Sequence, residues 1–104
     1  MTDISKLRKV IDTCDGIILQ RFPGLDVLRD ARAESLEFRM SHLRWMLLEC
    51  RAMIDKFKTD RAFQWLGFVQ GYLCSEGFVT IQELQLIDIL GYLPTDEEKD
   101  VEPV

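Results

Sequence analysis

Apolar residues recur at Ile4, Leu7, Ile11, Cys14 and Ile18, in steps of three, four, three and four. That spacing lines one face of a helix, and it predicts a first helix over residues 2–22, capped by Thr2 or Asp3. Gly16 falls inside it at a cost of about 1 kcal/mol relative to alanine. The helix either stops there or runs on to Arg21, and Pro23-Gly24 ends it in a turn. Residues 25–33 mix Leu25, Val27 and Leu28 with charged residues and suit a short helical turn or an ordered loop equally well.

A second periodic segment covers residues 34–57. Leu36, Met40, Leu43, Leu47, Cys50 and Ile54 form one row, and Phe38, Trp45, Leu48 and Ala52 form another on a different face. A helix apolar on more than one side is central in its fold or faces another chain. Arg39, Arg44 and Arg51 take the remaining polar positions, with Glu37 and Glu49 available for surface pairs. A third helix is predicted over residues 60–76, capped by Thr59 or Asp60. Its rows are Ala62, Leu66, Val69, Leu73 and Trp65, Phe68, Tyr72. Gly67 and Gly71 sit four apart inside it and together cost about 2 kcal/mol of helix propensity. Close backbone approach is a reason to keep them, so a tight helix crossing is expected there.

Gly77 suits the left-handed position past the end of that helix. Thr80-Ile81-Gln82-Glu83 matches a capping box, the sharpest local signal in the chain. The last helix then runs over residues 81–90, with Ile81, Leu84, Ile87 and either Leu86 or Leu90 inward. Gly91 closes it and Pro94 opposes a restart. No strand-like alternation and no internal repeat is present. The predicted fold is all-α: a small bundle of four main helices, with room for a short fifth near residues 25–33. One helical domain spans residues 1–93, and a disordered acidic tail spans residues 94–104.

The length of 104 residues fits a single domain. The net charge of −5 is uneven, because residues 94–104 hold five carboxylates and one lysine. The body is near neutral, which argues against nucleic-acid binding, since that needs a basic patch to displace counterions from phosphates. No stretch approaches the ~20 apolar residues of a membrane-spanning helix. The N-terminus lacks the apolar core of a secretory signal, so a cytoplasmic setting is expected.

Candidate chemistry is sparse. Cys14, Cys50 and Cys74 are odd in number and widely spaced, which suits small buried apolar residues better than disulfides or metal ligation. One histidine, His42, stands against the four ligands a structural zinc needs. Cys50 is about two helical turns from it, too far for a direct hydrogen bond. No phosphate-binding loop is present, and Glu37, Glu49, Asp55 and Glu83 fall on predicted polar faces. Neither a catalytic residue, a cofactor nor a metal is expected. His42 itself reads either as a structural histidine bonded to a backbone carbonyl or tyrosine, or as a contact or pH-sensing residue. The aromatics Trp45, Trp65, Phe68 and Tyr72 crowd onto two helices. They serve the core or form a partner surface, since Trp, Tyr and Arg dominate interface hot spots. Two helices with two apolar rows each offer more apolar face than four short helices cover, so a homodimer or a groove for a partner helix is expected.

The strings Ser41-His42-Leu43-Arg44-Trp45-Met46, then Phe63 to Leu73, then Gly77 to Leu84 resemble a set of small tailed-bacteriophage accessory proteins. Their blocks read S-H-L-x-W-M, R-W-L-G-F-x-Q-G-x-L and G-x-x-T-I-x-E-L. The resemblance covers residues 41–84, and Gln64 stands where an arginine is common. That family has no established activity, so the resemblance implies a setting: the cytoplasm of a phage-infected or lysogenic bacterium. Of the shared residues, Gly67, Gly71, Gly77, Thr80 and Glu83 serve the backbone and its caps, while fold alone explains His42, Trp45, Trp65 and Gln70 less well. The expected partner site is therefore His42, Trp45, Trp65, Phe68, Gln70 and Tyr72. The expected function is a non-enzymatic protein that binds and modulates a host or phage protein. A structural or assembly homo-oligomer is the alternative, and a small hydrolase or nucleotide-handling enzyme using His42 ranks behind both.

Overall fold

The computed structural model describes residues 4–29 and 35–94. Within them the protein is all-α, with four helices: α1 (Ile4–Arg21), α2 (Leu36–Asp55), α3 (Thr59–Ser75) and α4 (Ile81–Leu90). Helix α1 passes through Gly16 without a break. Residues 25–29 carry no helix, and residues 30–33 of the expected fifth element lie outside the described residues, as do Thr2 and Asp3 and the acidic segment 95–104.

The buried rows follow the 3.6-residue period. Leu7, Val10, Ile11, Cys14, Ile17 and Ile18 of α1 meet Met40, Leu43, Leu47, Cys50 and Ile54 of α2. Ala62, Leu66, Val69 and Leu73 of α3 complete the core, and Ile87 is the buried anchor of α4. Helix α2 packs most extensively on α3 and next on α1, while α4 rests on α1 and α3.

Polar ties set the α1–α2 pairing. The Arg44 guanidinium grips the Asp15 carboxylate with two bonds, at 2.7 and 3.1 Å, and also donates to the Leu25 carbonyl. Both side chains are largely withdrawn from water, and the bond to Asp15 raises the Arg44 pKa above its ordinary value. Arg51 pairs with Asp12, and Arg39 with Glu76 at 3.4 Å. The three arginines therefore reach across to other elements, in place of surface pairs with Glu37 and Glu49.

Helix ends follow local chemistry. Ser35 Oγ accepts from the Phe38 N–H at the start of α2. Thr80 and Glu83 form the capping box, with both bonds at 3.0 Å. At the end of α3, Gly77 has φ +78°; its N–H bonds to Cys74 O and the Phe78 N–H bonds to Leu73 O. This is the Schellman pattern, which satisfies carbonyls left over at a helix end. Helix α2 ends in the same way, with Phe57 N–H to Ile54 O and Lys58 N–H to Met53 O, so Phe57 occupies glycine's place at φ 61°. Helix α3 then starts from Lys58 with no side-chain cap, contrary to the expected Thr59 or Asp60, because this turn fixes where the helix begins.

Three further expectations are corrected. Ile81 is 67% exposed and Ile4 41% exposed, since each opens its helix beyond the reach of the core. The third concerns Gly67 and Gly71. A Cβ added at either would meet nothing within 4 Å, so no other helix crosses there. The buried row of α3 turns these glycines outward, and the small residue at the α2–α3 contact is Ala62, whose carbonyl accepts from Cys50 Sγ at 3.6 Å.

Phe57 is 89% exposed, so its ring contributes little packing while its backbone holds a conformation disfavoured for side chains with Cβ. Phe57→Gly is expected to stabilise the fold by about 1 kcal/mol, read as a higher midpoint in urea unfolding. A lower midpoint would show that the Phe57 ring stabilises the turn.

Candidate functional site

Helices α2 and α3 carry an aromatic strip beside their shared seam, built from two groups of rings. His42 and Trp45 sit one turn apart on α2, and their rings stack with centroids 5.5 Å apart and planes 22° apart. Trp45 meets Trp65 of α3 at 5.8 Å, with planes tilted by 49°. One turn further along α3, Phe68 and Tyr72 lie 6.1 Å apart. The Arg29 guanidinium sits 5.8 Å from the Trp45 ring, near enough for a cation–π attraction. Trp65 and Tyr72 have one side against the core, whereas Phe68 is 56% exposed. These are tilted or offset rings at the separations aromatic pairs favour.

For His42 the structure shows stacking in place of the hydrogen bond that the structural reading expects at Nδ1. Its Nδ1 is buried and makes no hydrogen bond among the described residues, and its ring is held by stacking on Trp45. The Arg39 Nε, one turn before it, is buried and without a partner in the same way. Gln70 stands apart from the strip. Its amide donates to Asp88 Oδ1 at 2.8 Å, tying α3 to α4 on the other flank of the buried row. The fold thus brings together His42, Trp45, Trp65, Phe68 and Tyr72 and leaves Gln70 elsewhere. Sequence spacing alone does not reveal which flank of a helix meets which neighbour.

A cleft away from the strip was not legible in the sequence. Between the end of α1 and the start of α2 lies an open cleft of about 440 Å³. Phe22, Leu25, Leu28 and Phe38 supply its apolar wall, and Arg21, Asp26, Glu37 and Ser41 its polar rim. The signal that marks it is the Pro23-Gly24 turn, after which the chain returns so that the Leu28 N–H bonds to Ser41 O at 3.2 Å.

The thiols are placed for packing. Cys14 and Cys50 are buried and Cys74 is partly buried, all in the free form. Burial pushes the Cys14 thiol up to about 12 and the Cys50 thiol up to about 11. Among the described residues no group of three His, Cys, Asp or Glu side chains is placed to hold a metal ion. No helix among them is long and apolar enough to cross a membrane.

The arrangement defines a small four-helix bundle bearing an aromatic surface strip. Comparison of the chain with family models, with curated proteins and with solved structures gives no match.

The thiolate is the reactive form of cysteine, so the raised values suppress reaction at Cys14 and Cys50. With a disulfide reagent at mildly alkaline pH, Cys74 is expected to react first and the other two only on unfolding. Because an unfolded thiol ionises near its ordinary value, both groups favour the fold below about pH 9 and withdraw that support as pH rises toward 11 and 12. Rapid labelling of all three native thiols would contradict this placement.

Proposed function

We propose that this chain is a non-enzymatic interaction protein that binds a protein partner through the strip of His42, Trp45, Trp65, Phe68 and Tyr72 and modulates it. The observation that carries the reading is the Trp45–Trp65 pair, which bridges two helices beside the exposed Phe68. Rigid aromatic rings in a partly desolvated setting are the side chains that dominate binding energy at protein interfaces. Arg29 over the Trp45 ring adds a residue type enriched at interfaces. Resemblance of residues 41–84 to small tailed-phage accessory proteins supports a phage-encoded protein acting in the bacterial cytoplasm on a host or phage target.

The test is capture from nuclease-treated bacterial lysate with the tagged full chain, read by mass spectrometry. Trp45→Ala/Trp65→Ala runs beside it with its helicity checked. Phe68→Ala runs as a second variant, because its exposed ring is dispensable to the core. Each substitution is expected to weaken capture of one defined protein by tenfold or more, equal to about 1.4 kcal/mol or more. Capture that survives all of these substitutions would overturn the strip as the binding surface.

A further inference from the structure

The cleft between the end of α1 and the start of α2 holds the one buried polar side chain among the described residues. Ser41 lines it and is only 2% exposed. Its carbonyl accepts from the Leu28 N–H, but its hydroxyl makes no hydrogen bond among the described residues. A hydroxyl withdrawn from water and left without a partner is costly, and alanine would fill the same place in α2 without that cost. The charges around it are uneven. Asp26 and Glu37 stand on the rim, and neither carboxylate forms an ion pair among the described residues. Asp26 feels the charge of Arg44, but that guanidinium is held by Asp15 and the Leu25 carbonyl. The rim's own cation, Arg21, is engaged elsewhere: its Nη2 donates to Gly77 O at 3.1 Å, and its guanidinium lies 4.2 Å over the Phe78 ring. Phe22 and Phe38 supply aromatic rings to the wall, and Leu25 and Leu28 supply aliphatic cover.

We propose that this cleft binds a small organic cation, an ammonium or guanidinium group on a compact apolar body. The polar side chains open to a ligand there are two carboxylates and one hydroxyl, and all three accept hydrogen bonds. Ammonium and guanidinium groups carry donors and no acceptor, so they match this set. The two carboxylates also repel an anionic ligand and attract a cationic one. Aromatic rings stabilise a cation further, and the leucines suit an apolar body. The volume of about 440 Å³ falls within the roughly 300–1,000 Å³ of small-molecule sites. The ten residues that line the cleft are fewer than the roughly 20–30 a side that a stable protein interface uses. The cleft shares no residue with the aromatic strip, so this site stands independently of the protein-binding reading.

The experiment is titration of the full chain with phenethylamine at neutral pH, where it is a cation, followed by backbone amide NMR shifts. Phenethyl alcohol and hydrocinnamate run beside it as neutral and anionic probes with nearly the same body. Saturable shifts centred on Leu25, Asp26, Leu28 and Ser41 are expected, with a Kd of about 1 mM, ordinary for a ligand of nine non-hydrogen atoms. Phenethyl alcohol is expected to bind about tenfold more weakly, and hydrocinnamate not to bind. Asp26→Asn and Glu37→Gln are each expected to weaken phenethylamine about threefold, the scale of an exposed ion pair. Ser41→Ala is expected to weaken it too, yet to unfold in urea at a midpoint no lower than wild type, because it removes a hydroxyl without a partner. Absence of saturable shifts well past the expected Kd would overturn the proposal. So would equal or tighter binding of either analogue, or binding indifferent to all three substitutions. Tighter binding of acetyl-Phe-Arg-Phe-amide would assign the cleft to a side chain of a protein partner and overturn it as a small-molecule site. A Ser41→Ala chain less stable than wild type would show the hydroxyl bonded within the fold and would also overturn it. These shifts read the cleft and lysate capture reads the strip, so each can fail without the other.

Discussion

The bundle depends on one seam, the row Met40–Leu43–Leu47–Cys50–Ile54 along α2, which is buried from both sides. Helix α1 closes it on one flank and α3 on the other. Burial of aliphatic side chains at roughly 25 cal/mol per Å² is the main force available to a chain of this size. Polar chemistry then fixes which neighbour lies where. Arg44, held by Asp15 and the Leu25 carbonyl, joins α1, the loop after it and α2 at one point. Charge-assisted bonds of this kind are directional, and an unpaired Arg44 or Asp15 in so sheltered a place would be costly. The apolar row supplies stability and the arginines supply register.

A helix has more than one side, and two neighbours do not use them all. Once α1 and α3 have taken the seam, α2 still holds Trp45 and His42 on a face that no fourth helix among the described residues covers, because α4 packs on α1 and α3. Helix α3 likewise keeps Phe63 and Phe68 outward after its core row is filled. The aromatic strip and the outer face of α3 are thus both consequences of a small bundle with apolar sides in excess of its helices. In a larger fold such sides would be internal.

Much of this was legible from spacing. The alternating steps of three and four placed the first three helices, and Thr80 with Glu83 marked the start of α4 because a capping box is a local device. What escaped depends on neighbours. Gly67 and Gly71 read as a crossing because sequence reports that a face is small without saying what stands opposite. Gln70 read as a companion of Trp65, yet it sits on the flank that meets Asp88. His42 could not be assigned because stacking on Trp45 leaves no signature in spacing. Phe57 at a left-handed helix end had no local signal at all, since nothing about phenylalanine announces that conformation.

The proposed role of the outward aromatics of α3 is contact with other chains and not support of the fold. Urea unfolding of Phe63→Ser/Phe68→Ser at low micromolar concentration, compared with Leu66→Ala, tests this directly. The expected result is a double variant within about 0.5 kcal/mol of wild type, while Leu66→Ala loses about 2–5 kcal/mol from the core. A double variant as destabilised as Leu66→Ala would place the two rings among the supports of the fold and contradict the claim.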